Sequence, residues 1–365
     1  MSRFHVAIAA LCGTTGGPAS YARRLVQALA AADAVQLSVL TDAPQLFAAA
    51  DGGADILYVP TSGGLDRLRW QHVAVPRAIK RLAPDVYHDT KNALPRGLRC
   101  PAVVTVHDLA YHTVPKTFGT ASRWFLRHAT RDAIKRAQLA IVPSKATESD
   151  LLRYYPSSKS RTHVVPHGID PPPSIDAQAA AAARQRLSLP EDYVLHVGTL
   201  QARKNVDLVI AAVRQLRARG LPHRAVLIGR RGWLADRAIA EIERDDTAIW
   251  LEHVSQEDLY ACYAGAAAFA SPSAYEGFGL AVADALAFGV PTVIADVSSL
   301  PELCGSAALR LPALTSDAIA SALEPILRDD AKRAELSAAA AARAREFSWQ
   351  AAAAGHLQAY REAMQ

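Results

Sequence analysis

Short runs of β-branched and apolar residues alternate along this chain with longer amphipathic stretches, and that alternation restricts the fold more than any other feature. Strand-like runs fall at 5–10, 35–40, 56–59, 86–88, 102–106 and 139–142, with helix-like stretches at 21–32, 67–82 and 122–137. This is the pattern of βα units wound around a parallel sheet. It restarts at 193–197 and continues through 206–219, 224–228, 249–251, 258–264, 267–270, 280–287 and 291–295. Two doubly wound α/β domains are therefore expected, and 365 residues at roughly 150 per domain allow for both. Between them, consecutive prolines from Pro171 to Pro173 exclude helix and strand ladder, and an Ala-rich helical stretch follows to about Leu187. The expected organisation is a first domain over 1–170, a second over 171–345, and a helical tail over 346–365 that packs back on the first.

Composition removes several functional classes. Half the residues are hydrophobic (50%) and 21% are charged, so the chain is globular throughout. Forty Lys and Arg against thirty-five Asp and Glu give +5, a basic lean that suits phosphate-bearing ligands or an anionic membrane surface; no basic-aromatic motif of a nucleic-acid binder appears. Cys12, Cys100, Cys262 and Cys304 are widely spaced, with no Cys-x-x-Cys pair, which argues against zinc and disulfides and for a reduced, cytoplasmic setting. The apolar run at 6–12 is too short for an export signal and leads into glycines, so it reads as a buried first strand. No uninterrupted apolar run is long enough to cross a bilayer.

Open α/β sheets bind ligands at the carboxyl ends of their strands, so the residues after each strand are the first candidates. After the first comes a glycine-rich turn from Gly13 to Pro18 containing Gly16 and Gly17, whose backbone can approach an anion or hydroxyl. It is not a Gly-x-Gly-x-x-Gly fingerprint, which disfavours NAD. His107 and Asp108 follow the run at 102–106, where an imidazole can donate a hydrogen bond to a ligand; His112 adds only a weak metal pattern. Gly198 to Asn205 places Arg203 and Lys204 beside a helix start, a strong anion pocket that lacks the Walker pattern. The stretch from Ser271 to Asp284 sets Gly277 and Gly279 around Phe278 at a helix start, with Glu276 before it and Asp284 eight residues later. Helical spacing would let both carboxylates face one ligand. Ser144, after Val142 and Pro143, reads by itself as a helix N-cap.

Together these motifs resemble the retaining, nucleotide-sugar-dependent glycosyltransferases of the GT-B fold, family four, over nearly the whole chain. The resemblance runs through Gly16-Gly17, His107 to Leu109, Val142 to Ser144, Val165 to Gly168, Gly198 to Asn205, Tyr275 to Asp284, Gly289 to Thr292 and Ser299 to Glu302. It implies two Rossmann-like domains facing a central cleft, with acceptor on the first and donor mainly on the second. It also implies that Arg203 and Lys204 hold the diphosphate and that Glu276 contacts sugar hydroxyls. Backbone from Phe278 through Gly279 to Leu280 meets phosphate or sugar, and His107 reaches across to the transferred sugar; Gly16, Gly17, Ser144 and Gly198 complete the donor set. Asp284 stands where the family has Glu, one methylene shorter at the ribose position. The stretch from His107 to Phe118, with Arg123 and Trp124, further resembles bacterial polysaccharide mannosyltransferases.

Expected, then, is transfer of a hexose, mannose from GDP-mannose as first choice and a UDP- or GDP-linked hexose otherwise, to a saccharide acceptor that is lipid-linked. No metal or other cofactor is expected, since Asp-x-Asp is absent and the two cations can stand in for a divalent ion. Two basic, apolar-interleaved stretches suggest docking on the inner face of the cytoplasmic membrane: Arg67, Leu68, Arg69, Trp70, Val73, Arg77, Ile79, Lys80 and Arg81, then Arg123 to Arg136. The alternatives are a sugar-nucleotide epimerase of the same fold and a non-catalytic sugar-nucleotide binder.

Overall fold

The computed structural model describes residues 3–11, 16–50, 53–60 and 69–365. Cys12 to Thr15, Arg67 and Leu68 lie outside them. The chain divides into two units: Met1–Thr113, Gly119–Gly168 and Phe347–Gln365 form the first, Val114–Phe118 and Ile169–Glu346 the second.

In the first unit the described strands are β1 (Phe4–Ala10), β2 (Val35–Thr41), β3 (Asp55–Tyr58), β4 (Val86–Asp89), β5 (Ala102–Thr105), β6 (Leu139–Val142) and β7 (Thr162–Val164). They pair in parallel in the order β3-β2-β1-β4-β5-β6-β7. Helices α1 (Gly17–Ala32), α2 (Val75–Leu82), α3 (Ala110–Thr113), α4 (Thr120–Arg136) and α5 (Lys145–Tyr154) carry the chain between them. The sheet is apolar because helices cover both faces of a parallel sheet. Val6, Ile8, Val39 and Val86 pack against Leu25 and Leu29 of α1 and against Trp349, Leu357 and Tyr360 near the chain's end.

In the second unit α6 (Ala177–Arg186) precedes β8 (Tyr193–Val197), α7 (Val206–Ala218), β9 (Arg224–Ile228), α8 (Asp236–Glu243), β10 (Ala248–Leu251) and α9 (Gln256–Ala264). Then come β11 (Ala268–Ser271), α10 (Leu280–Ala287), β12 (Thr292–Ala295), α11 (Leu300–Cys304), β13 (Ala308–Leu311), α12 (Ser316–Arg328) and α13 (Asp330–Ala344). The strand order is β10-β9-β8-β11-β12-β13, again parallel. Val209, Ile210, Val213 and Leu216 of α7 meet Ile319 and Leu323 of α12 in its core.

The last helix, α14 (Trp349–Ala363), packs on α1. Its approach explains the glycine of Val165 to Gly168: a Cβ on Gly168 would stand 2.3 Å from the Trp349 nitrogen, so any larger residue would push the helix start away. The elements overlooked in the sequence include the short β7, β13, α8 and α11 and the 13-residue α12.

Candidate functional site

Strand order reverses direction between β8 and β11 in the second unit, which opens a crevice at their carboxyl ends. Two loops meet there. The loop after β8 forms a 3₁₀ turn over Ala202–Lys204, and the loop after β11 runs to α10. They are stitched together: Ala274 N donates to Arg203 O at 2.8 Å, and Asn205 Nδ2 donates to Pro272 O at 2.8 Å. Arg203 Nη1 donates to Tyr275 O and lies 3.3 Å from Glu276 Oε2, while Lys204 Nζ is 2.5 Å from Glu276 Oε1. Ser298 Oγ accepts from Glu276 N, and Ser299 Oγ donates to Glu276 O, each at 2.9 Å. The carboxylate is thus fixed through both its backbone and its head.

The side chains of Arg203, Lys204 and Glu276 are only 12, 14 and 11% exposed, so their charges act on one another with little screening. Burial alone would raise the Glu276 carboxyl, but Lys204 and then Arg203 overcome it and hold it down to about 2. Two cations and one carboxylate leave the group with a surplus positive charge suited to an anion. Beside it stands the start of α10, whose free N–H groups also favour negative charge. Gly279 caps that helix at φ +99°, and a Cβ there would meet Leu300 Cδ2 at 2.9 Å, so the turn requires glycine. Phe278 is buried beneath it.

As expected, Glu276 precedes the helix: α10 begins at Leu280, so Glu276 lies in the loop, Asp284 is the fifth helical residue, and only part of the eight-residue spacing between them is helical. Helical spacing therefore does not relate the two carboxylates. Gly198 sits with φ +151° directly before the cationic turn, its open side toward Lys204.

The first unit reverses between β1 and β4. Gly16 precedes α1 and Gly17 opens it. His107, just past β5, has its Nε2 2.7 Å from Thr90 O, which can only accept. The ring therefore keeps its proton on Nε2, and burial holds its pKa below the ordinary value. The donating imidazole expected from sequence is thus corrected: the neutral ring offers Nδ1 as an acceptor. Ser144 caps α5, accepting from Thr147 N at 3.1 Å. His112 stacks on Tyr154 with centroids 4.2 Å apart, a structural role, and among the described residues no three His, Cys, Asp or Glu side chains are placed so that they could hold a metal ion.

Behind His107 runs a network that sequence inspection missed. Tyr360 Oη donates to His88 Nδ1 (2.8 Å), His88 Nε2 to Thr105 Oγ1 (2.8 Å), and Thr105 Oγ1 to Tyr21 Oη (2.9 Å). Tyr21 then donates to His356 Nε2 (2.8 Å), and His356 Nδ1 to Ala352 O (2.7 Å). The final carbonyl fixes the direction of the whole chain, with every ring neutral. The Tyr21 ring meets the edge of His107 at 4.7 Å. No sequence signal joins Tyr21 to His356, because the contact spans 335 positions.

The basic stretches divide as well. Trp70 and Ile79 are buried in the core, whereas Trp124 and Phe125 on α4 are 63 and 52% exposed. No described helix is long and apolar enough to cross a membrane.

Comparison with known proteins matches this architecture. The family model for group 1 glycosyl transferases covers residues 179–343, and that for glycosyltransferase family 4 covers 15–172. The O-antigen chain mannosyltransferase B of Escherichia coli is 30% identical over 282 residues, 76% of this chain and 74% of that protein. A D-inositol 3-phosphate glycosyltransferase of Xylanimonas cellulosilytica is 34% identical over 249 residues, 64% of this chain and 59% of its own length. Among solved structures, Anabaena HepE in complex with UDP-glucose superposes with a TM-score of 0.78 at 18% identity, covering 98% of this chain and 99% of that one. A glycosyltransferase from Rickettsia africae gives 0.76 at 12% identity, with 100% of both chains covered. The expected fold is borne out: two parallel-sheet, Rossmann-like units of the GT-B type. The chain belongs to the group 1 glycosyltransferases, family 4.

Proposed function

We propose that the protein transfers a hexose, mannose from GDP-mannose as first choice, to a lipid-linked saccharide acceptor during assembly of a cell-surface polysaccharide. The observation that carries the reading is the buried Arg203–Lys204–Glu276 group at the switch point of the second unit. Breaking the bond between the anomeric carbon and the diphosphate leaves the electron pair on a phosphate oxygen. Cations already fixed at that place stabilise the charge without reorganising. Glu276 meets the sugar hydroxyls, Asp284 the ribose, and His107 the transferred sugar. The new bond forms to the acceptor hydroxyl on the same face, so configuration is retained, and the departing phosphate oxygen takes the acceptor proton. Arg203 and Lys204 take the place of a divalent metal. The E. coli relative favours mannose, while the UDP-glucose complex of HepE keeps a UDP-linked hexose as the second donor to try.

A donor screen tests this reading by following GDP or UDP release with a polyprenyl-linked saccharide present, in EDTA and with added Mg²⁺. Release of GDP from GDP-mannose, undiminished by EDTA, is the expected result, with an anomer in the product matching that of the donor. Sugar epimerised without an acceptor would replace the transferase reading. Exposed Trp124 and Phe125, among Arg123, Arg127 and Arg131, form the surface that we assign to the inner leaflet of the cytoplasmic membrane. Sedimentation with anionic vesicles at low salt should exceed that with neutral ones, and equal sedimentation would point to a soluble acceptor.

A further inference from the structure

His196, on β8, is the only residue of the apolar run Tyr193–Val197 that carries an ionisable imidazole. It is 1% exposed. Its Nδ1 lies 2.9 Å from Ala270 O on β11, so the proton sits on Nδ1 and Nε2 carries a lone pair. Among the described residues nothing bonds that Nε2. Leaving a buried acceptor unmatched is costly, so its position calls for an explanation.

The position is informative. A Cβ placed on Gly198 would lie 3.8 Å from His196 Nε2, 3.7 Å from Lys204 Nζ and 3.5 Å from Lys204 Cε. Nε2 of His196 and the Lys204 ammonium therefore both lie within 4 Å of one point beside Gly198. Lys204 meanwhile holds Glu276, the carboxylate assigned above to the sugar. If Glu276 turns toward sugar hydroxyls, the Nε2 lone pair of His196 can take over one of the Lys204 donors without adding charge. An ammonium has three donors, and a second carboxylate there would cancel the charge that the diphosphate requires.

We propose that His196 is a positioning residue: in the donor complex its Nε2 accepts a hydrogen bond from Lys204, which frees Glu276 for the sugar while Lys204 stays charged and aimed at the diphosphate. The inference rests on the proposed function of this same pocket. Burial pushes His196 down to about 4 against the opposing hydrogen bond to Ala270 O; Lys204 adds a smaller push in the same direction as burial and Glu276 a still smaller one against it, so the ring is neutral wherever the enzyme would work. The groups facing it are Lys204 from the loop after β8, Glu276 from the loop after β11, and the Phe269 ring stacked at 6.4 Å.

The test compares His196→Phe, which keeps a flat ring without the acceptor, with His196→Gln, which keeps an acceptor oxygen. With GDP-mannose as donor, His196→Phe should lose tenfold or more in kcat with a donor KM within twofold, and His196→Gln should recover most of the loss. Equal losses in both, or wild-type turnover in His196→Phe, overturn the inference. A second readout needs neither turnover nor a folded variant. In ¹⁵N-labelled wild-type protein, adding GDP should move the His196 Nε2 resonance upfield as it begins to accept a hydrogen bond. An unmoved resonance in GDP-saturated protein overturns the inference too. Wild-type protein that neither binds GDP or UDP nor releases either from a sugar nucleotide would instead overturn the function of the pocket, a distinguishable result.

Discussion

The switch points of the two sheets are alike in topology and opposite in electrostatics. In the second unit the carboxyl ends of β8 and β11 gather Arg203, Lys204 and a carboxylate held ionised down to about 2. In the first, the corresponding region holds Tyr21, Thr105, His88, His107 and His356, and burial keeps all three imidazoles below their ordinary pKa. Even the carboxyl of Asp89, at the end of β4, is pushed up to about 7 by burial, despite hydrogen bonds from Tyr87 and the Lys91 backbone. One fold thus builds both a fixed-charge site and a neutral hydrogen-bonding site. Charge suits a diphosphate, and neutral donors and acceptors suit hydroxyls, which is the division a glycosyl transfer requires.

The contrast is broken most severely by removing charge from the second unit. Lys204→Ala or Arg203→Ala should cost about 100- to 1,000-fold in kcat, the scale seen when one preorganised partner of a developing charge is lost. Each variant leaves Glu276 with the other cation, so the fold should persist, and circular dichroism checks that. Turnover within threefold of wild type in both would mean that the cations serve structure rather than the leaving group.

A smaller effect separates the carboxylates. Glu276→Gln keeps shape but loses charge, and should lower kcat about tenfold as sugar hydroxyls become better donors in the transition state. Asp284→Ala should mainly raise the donor KM, because the ribose does not change during reaction and contributes uniform binding. Reversed kinetics, with Asp284→Ala abolishing kcat and Glu276→Gln sparing it, would exchange the two roles.

How much of this was legible depends on the range of the physics. The central strands were readable because parallel strands covered on both faces are written as continuous apolar runs, as in 102–106 or 193–197. Edge strands such as Ala308–Leu311, with Arg310 in a four-residue run, carry too little pattern. The cationic turn was readable because Arg203 and Lys204 are adjacent and follow a strand. Their pairing with Glu276, 72 positions beyond Lys204, was not, since nothing local reports which loops meet at a switch point. His196 was passed over for the opposite reason: inside a strand it reads as a core residue, and only the fold reveals that its Nε2 and the Lys204 ammonium flank the same position beside Gly198.

The mildest test concerns the neutral side of the comparison. A histidine whose pKa is depressed on folding stabilises the fold above its unfolded value, and the contribution is lost as pH falls through the folded value. His356 falls from 6.5 to about 4 on burial, worth roughly 3 kcal/mol at about 1.4 kcal/mol per unit. His88, His107 and His167 act in the same direction. Asp89 acts oppositely, because its raised pKa makes the fold bind an extra proton between about 4 and 7, so acid relieves its burial. The histidines outnumber it, and wild-type stability should decline between pH 6.5 and 4. In His356→Phe the Tyr21 hydroxyl loses its acceptor, which should cost about 1–3 kcal/mol at pH 8. With one titrating ring gone, however, the decline toward pH 4 should be shallower than in wild type. Urea unfolding midpoints at pH 8, 6 and 5 measure both quantities. A variant that is destabilised equally at all three would show that folding leaves the His356 pKa unshifted, so that the ring takes up its proton in the native protein as readily as in the unfolded chain, and the neutral character assigned to the first unit would fall with it.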